Sequence, residues 1–398
     1  MDATAVSAPE YPLVREEIAL KTSGAEYVRR PHLDFLDGIR GLAALYVTLH
    51  HAYMNVAWLT DGKSLPRWLN SATRWLAYGG YAVAVFIVLS GYCLMIPVAR
   101  TPDGKLAGGI GGYLCRRVRR IIPPYYAALA ISMILISLIP ALSQRPSFFA
   151  NAATPVTWPS FAAHLLLIHN LQPHWFMKID PPMWSICIEF QIYFLFPLLF
   201  LPVWRRLGLI ASSAAGVVIA YLLHHMDSAI YDYSHPFYVA LFGFGMAAAA
   251  MRFAPGRAHK PMLAWPWLCL IPICVALQVA ILNTQNAWIH KHLGWLADLF
   301  LGGAVTSLLI ATASTNENWL RRWTELPLFA NLGKWSYSLY LIHCPLLAIV
   351  YLMVSRMTIS PAQQLAAMML IGVPASLAAA YGFFLVFERP FLSSSIRS

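Results

Sequence analysis

Residues 33–58 read LDFLDGIRGLAALYVTLHHAYMNVAW. The run is long enough to cross a bilayer as a helix, which takes about 20 apolar residues. It also holds Asp34, Asp37, Arg40, His50 and His51. An ionisable group at the centre of a spanning helix costs at least ~2.5–3.5 kcal/mol on insertion scales, and such groups face a bundle interior rather than lipid. This stretch therefore predicts a membrane helix whose polar side is turned toward other helices.

Similar runs recur along the chain. Expected spans are 33–58, 74–97, 121–141, 183–203, 207–223, 235–253, 265–283, 294–314, 334–354 and 364–387. A shorter run, WPSFAAHLLLIHNL at 158–171, reads as an interfacial or re-entrant segment. The all-round apolarity predicts helices, and the alternation of a barrel is missing. Composition agrees: 59% of the 398 residues are hydrophobic and 11% charged. Soluble domains carry about 25% charged residues, so a soluble enzyme is excluded, as is a disordered chain. The expected fold is an all-α integral membrane protein of about ten helices with both termini cytoplasmic. Residues 1–32 form a polar cytoplasmic tail, 33–391 a single transmembrane domain, and 392–398 a short cytoplasmic tail.

The net charge of +11 follows from that topology. With the N-terminus inside, inner segments hold 20 of the 28 Lys and Arg, outer segments 7, and Arg40 lies in the first span. Basic residues concentrate on the cytoplasmic side of membrane proteins, so no nucleic-acid partner is needed. The six cysteines show neither a CxxC pair nor metal-ligand spacing with histidine. They read as small buried hydrophobes, with no disulfide framework and no metal site.

Arg40 and His51 are eleven residues apart, which is roughly 20° past three turns and about 16 Å along the axis, so both lie on one helix face. Asp37 precedes Arg40 by three residues and can pair with it. In the fourth span, PPMWSICIEFQIYFLFPLL, Glu189 lies roughly 10 Å below the outer end, at the depth of His51. The two are candidates for a catalytic pair, with His51 as general base and Glu189 orienting it; a structural ion pair is the other reading. His343, in KWSYSLYLIHCPLL, is either functional or a satisfied core histidine. The run CRRVRRIIPPYY before the third span sets Arg116, Arg117, Arg119 and Arg120 at the cytoplasmic face. It suits a topology or lipid-headgroup signal, or a phosphate-bearing ligand.

Taken in order, LDGIRGLAALYVTLHH, FIVLSGYCL, RRVRRIIPPYY, PPMWSICIEFQIYFLFPLL, YSLYLIHCPLL and FERPF resemble the acyltransferase-3 family of integral-membrane O-acyltransferases, from about residue 33 to 391. The resemblance implies that Arg40 and His51, an Arg and a His with ten residues between them on the first span, are required for transfer. It matches the family's Arg-x-x-Arg to Arg117 and Arg120, followed by Tyr125, with Arg116 and Arg119 as an overlapping choice. The family's Trp-Ser…Glu…Tyr segment falls on Trp184, Ser185, Glu189 and Tyr193, and its last-span Glu-Arg-Pro on Glu388, Arg389 and Pro390. It implies acetyl-CoA or another acyl-CoA as donor and a hydroxyl of a glycan or lipid-linked sugar as acceptor. Lipopolysaccharide O-antigen and exopolysaccharide are among the acceptors expected. The location implied is the inner membrane of a bacterium, without the extracytoplasmic hydrolase-like domain that some members carry. The alternative function is a proton-coupled transporter using Glu189, His343 and His51 as a relay.

Overall fold

The computed structural model describes residues 33–60, 62–226, 233–254, 263–314 and 319–392. The expected tail at 1–32 lies outside them, as does 393–398. The described residues form helices and no strand, as lipid demands of a chain that must satisfy its own backbone groups. The principal helices are α1 (Asp34–Ala57), α2 (Gly80–Ala99), α3 (Gly109–Leu138), α4 (Met183–Leu195), α5 (Leu201–Met226) and α6 (Phe237–Phe253). They continue with α7 (Trp265–Leu282), α8 (Leu296–Thr312), α9 (Pro327–Lys334), α10 (Ser336–Val354), α11 (Pro361–Ala367) and α12 (Val373–Phe383).

Six stretches are long and apolar enough to cross a membrane: Arg67–Ala99, Gly109–Leu138, Met183–His225, Trp265–Leu282, Ser336–Val354 and Pro361–Phe391. The helices Phe237–Phe253 and Leu296–Thr312 are apolar but shorter. The protein is an all-α membrane protein. Helix α1 is not among the six, because Arg40, His50, His51 and Asn55 lower its apolarity; yet most of its residues are buried. It packs against α2, α9, α10, α11 and α12, and its Asp37, His51 and Asn55 are buried. Helix α7 is the opposite case. It is apolar all round and, of its side chains, only Gln278 is buried, the pattern of a helix turned toward lipid.

Two features position the bundle. Helices α2 and α6 approach at a reciprocal glycine contact. A Cβ on Gly91 would collide with the Phe242 carbonyl, and one on Gly245 with the Val88 carbonyl. Small residues of this kind let membrane helices touch backbone to backbone. Replacing Gly245 with valine is expected to cost about 1–3 kcal/mol through overpacking, read as a lower thermal midpoint in detergent. Gly382→Ala, where a Cβ meets nothing within 4 Å, should leave the midpoint in place. The second feature is Gly208, whose φ of 84° and ψ of −173° break the helical run. Ser212 then donates to the Phe200 carbonyl at 3.3 Å. In a straight helix residues twelve apart would lie about 18 Å apart, so the chain reverses here, between the expected spans 183–203 and 207–223.

The expected third span, 121–141, needs correction. Helix α3 begins twelve residues earlier, so the arginine cluster stands on helix rather than in a loop. Pro123 and Pro124 lie inside it, as membrane helices tolerate. The 158–171 segment folds as two short helices, Trp158–Leu165 and His169–Leu171, with Thr157 and Ser160 forming a reciprocal cap on the first. The cysteines are only partly buried: Cys187 and Cys344 are, whereas Cys115 and Cys269 are exposed. Cys269 stands on α7.

Candidate active site

The site has two ends, joined by α1. At the first, Arg40 donates to Asp37 at 3.0 Å, the expected one-turn pair. Its other guanidinium nitrogen reaches the Cys93 sulfur on α2 at 3.1 Å. Across from it, α3 turns Arg117 and Arg120 inward, three residues apart on one face, and leaves Arg116 and Arg119 exposed. Arg116 donates to the Ala107 carbonyl at 2.7 Å. The overlapping choice is thereby separated: the inward pair is Arg117 and Arg120. The Nε of Arg117 is buried without a hydrogen-bond partner, and so is the hydroxyl of Tyr113 one turn before it. Near the start of α3 a cavity of about 300 Å³ is lined by Lys105, Leu106, Ile110, Pro197, Leu201 and Arg205.

Glu189 and Tyr193 occupy the interior of α4. Glu189 accepts from Ser90 at 2.6 Å and from the Tyr193 hydroxyl; Ser90 and Tyr193 are themselves 2.9 Å apart. Tyr193 lies within electrostatic reach of both Arg40 and Arg117. The sequence expectation paired Glu189 with His51, and the structure corrects it. Oε1 takes both Ser90 and Tyr193, and no hydrogen bond to His51 forms among the described residues; equal depth does not make two helices present their residues to each other. Glu388 is buried and accepts from the Ser338 backbone N–H at 3.1 Å and from its hydroxyl, with Arg120 within electrostatic reach. Arg389 is exposed. Tyr125, expected at the donor, instead donates to the His164 carbonyl at 3.0 Å, tying α3 to the Trp158–Leu165 helix.

At the other end, His51 is buried on α1 and meets His343 of α10. His343 Nε2 and His51 Nδ1 are 2.9 Å apart. His343 Nδ1 faces the Leu339 carbonyl at 2.9 Å, and His51 Nδ1 also faces the Val47 carbonyl at 3.1 Å. A carbonyl only accepts, so each Nδ1 carries its proton and, in a neutral ring, each Nε2 holds the lone pair. His51 Nδ1–H is then shared between Val47 and His343 Nε2. What remains is His51 Nε2, a ring nitrogen with a lone pair and no partner among the described residues. The His51 ring is held between Phe148, at 5.4 Å, and His50, at 4.7 Å. His50 is anchored separately, its Nδ1 donating to the Leu76 carbonyl at 2.6 Å. Between the two ends, Tyr340 and Ser185 are 2.6 Å apart. Trp184 packs near Phe176, His235 and Tyr238.

Sequence reasoning passed over four polar residues. Tyr113 stands one turn before Arg117, a spacing that would have disclosed it. Ser90 lies within the quoted FIVLSGYCL without a role assigned, as does Cys93 beyond it. Asp180 precedes the Pro-Pro of the fourth span; it is fully buried, accepts from Ser132 at 2.9 Å through Oδ2, and leaves Oδ1 unpartnered.

The acyltransferase-3 family model, described as an acyltransferase domain, matches residues 33–385. The chain belongs to that family. It is 23% identical over 353 residues to the Putative O-acetyltransferase SACOL0978 of Staphylococcus aureus (strain COL), covering 83% of this chain and 53% of the relative. It is 23% identical over 351 residues to the peptidoglycan O-acetyltransferase OatA of Listeria monocytogenes, covering 80% and 50%. It is 26% identical over 317 residues to the Putative membrane-bound transacylase BcsY of Komagataeibacter xylinus, covering 78% and 72%. The chain thus spans about half the length of the first two relatives. No solved structure matches it. Within this acyltransferase-3 chain, the Arg–His pair of the resemblance falls on the helix that joins the two ends of the site.

Proposed function

We propose that the chain is an O-acyltransferase of the bacterial cytoplasmic membrane, with ten crossings and both termini inside. In this reading it moves an acetyl group from acetyl-CoA, taken at the arginine end, to a hydroxyl of an envelope glycan reached from the histidine end. The observation that carries the reading is the lone pair left on His51 Nε2 by the His343–His51 contacts. A neutral imidazole so held is a general base for a hydroxyl.

The residues at the arginine end suit the donor. Coenzyme A carries phosphates, and the buried unpartnered Nε of Arg117 with the Tyr113 hydroxyl offers donors to such oxygens. Arg120, Arg40 and the cavity beside Lys105 and Arg205 add positive charge there. In the transfer, the acceptor oxygen attacks the thioester carbonyl. The O–H proton goes to His51 Nε2, the C–S bond breaks, and the proton then passes to the leaving thiolate. The products are an ester and a free thiol, and the histidine is regenerated. Peptidoglycan, lipopolysaccharide O-antigen and exopolysaccharide are the acceptor classes this reading covers. The transporter reading needs Glu189 in line with the histidines, whereas the carboxylate is bonded to Ser90 and Tyr193.

The test is thiol release. Purified protein given acetyl-CoA and envelope polysaccharide is expected to release coenzyme A and place alkali-labile acetyl on the polysaccharide. Proton flux in proteoliposomes without any thiol release would sink the transferase reading.

A further inference from the structure

Helices α2, α6 and α8, which pack on one another, and the turn before α2 bring a second group of polar residues together beyond His51. Asp298 stands in the first turn of α8, half-buried. Tyr81 on α2 and Tyr238 on α6 lie within electrostatic reach of its carboxylate. Tyr78 stacks on Tyr81 with ring centroids 5.4 Å apart and planes 9° from parallel. Among the described residues, neither the carboxylate nor any of the three phenol hydroxyls makes a hydrogen bond. A carboxylate left unpaired at the end of an apolar helix is expensive; Tyr238 is buried near it, Tyr81 half-buried and Tyr78 exposed, so the group is reachable from outside the protein.

The group is continuous with the proposed base. Gly79, between Tyr78 and α2, lies so close to His50 that a Cβ there would collide with the imidazole. His50 in turn meets His51 edge-on at 4.7 Å. On the far flank Trp184 stacks on Tyr238 at 6.0 Å, and His235 lies 4.7 Å from Trp184.

Aromatic rings beside a carboxylate suit one class of molecule. A pyranose lays its C–H face on an aromatic ring and offers neighbouring hydroxyls, which one carboxylate accepts as a pair of charge-assisted hydrogen bonds. A lipid chain would use the rings and leave Asp298 unpaired, and an anionic acceptor would be repelled by it. We infer that Asp298, Tyr78, Tyr81 and Tyr238 form the acceptor subsite and hold a neutral pyranose through adjacent hydroxyls. This rests on the acyltransferase reading above and adds how the acceptor is recognised.

The test uses the full chain purified in detergent, radiolabelled acetyl-CoA and polysaccharide extracted from the envelope of the expressing cells. Asp298→Asn and Tyr81→Phe are each compared with wild type. Asp298→Asn is expected to raise the polysaccharide concentration for half-maximal labelling at least tenfold, with the rate at saturation falling less than threefold. Tyr81→Phe should move in the same direction by about threefold. Calorimetry of coenzyme A on the variants reports whether they are folded. Unchanged half-saturation in Asp298→Asn overturns the subsite. So does joint loss of coenzyme A binding in both variants, which would make the residues structural, or wild-type label found on lipid or protein instead of carbohydrate. A wild type that releases no coenzyme A at all refutes the acyltransferase reading itself, an outcome distinct from these.

Discussion

Acyl transfer by His51→Ala is expected to fall by about 10²–10⁴-fold, the usual contribution of a positioned general base. Protein level and membrane insertion should be unchanged, since removing an imidazole from a span lowers the cost of inserting it. The neighbouring His50→Ala is the informative comparison. His50 directs its Nδ1 to the Leu76 carbonyl and should lose far less activity. His343 is a positioning residue: its Nε2 accepts from His51 Nδ1–H and so fixes which nitrogen of His51 holds the lone pair. His343→Gln keeps an acceptor near that position and should retain more transfer than His343→Ala. The maximal rate, rather than donor affinity, should carry the difference. If His50→Ala abolishes transfer and His51→Ala does not, the base has been assigned to the wrong ring.

Arg117→Ala should produce the complementary defect. A hydrogen bond to a charged group is worth about 1.5–3 kcal/mol, which is roughly 10–150-fold in affinity at 1.4 kcal/mol per decade. Coenzyme A, measured by calorimetry on the purified variant, is expected to bind that much more weakly, with polysaccharide half-saturation close to wild type. Lysine should be a poor replacement, because an ammonium lacks the planar fork of the guanidinium. Arg116→Ala, on the exposed side of α3, serves as the matched loss of charge and should change affinity little. Equal weakening by Arg116→Ala and Arg117→Ala would return the cluster to a diffuse topology signal.

Much of this site could be read in the sequence because it lies on one helix. The eleven-residue spacing of Arg40 and His51, and the three-residue spacing of Asp37 and Arg40, are properties of a single α-helix, and the Asp37–Arg40 pair forms as expected. Contacts between helices were less legible. Depth counted from helix ends matched Glu189 to His51 and left His343 apart. Counted the same way, His51 lies six residues from the end of α1 and His343 eleven from the end of α10, about 9 and 16 Å. Yet the two rings touch, because the helix ends do not share a plane. Azimuth is the other missing quantity: Glu189 faces Ser90 on α2, which no count along α4 discloses. Tyr125 failed for a related reason, since its hydroxyl meets a backbone carbonyl in the Trp158–Leu165 helix, a partner without a side-chain signature.

The weak apolarity of α1 bears on how the protein is made. The first of the described helices is poorly suited to stand alone in lipid: Cys93 meets its Arg40, the Leu76 carbonyl its His50, and Phe148 and His343 its His51. Domains generally fold as they emerge, N-terminal part first; here His51 meets His343 only after most of the chain has been made. Until α9 and α10 arrive, α1 has α2, the Arg74–Ala77 turn and the helix at Phe148–Ala153 to pack against. A chain halted near residue 250 would hold Arg40 on Asp37 and Cys93 and His50 on the Leu76 carbonyl, and would leave His51 without His343. The His51–His343 contact is therefore expected to close late in synthesis, after α10 has been made.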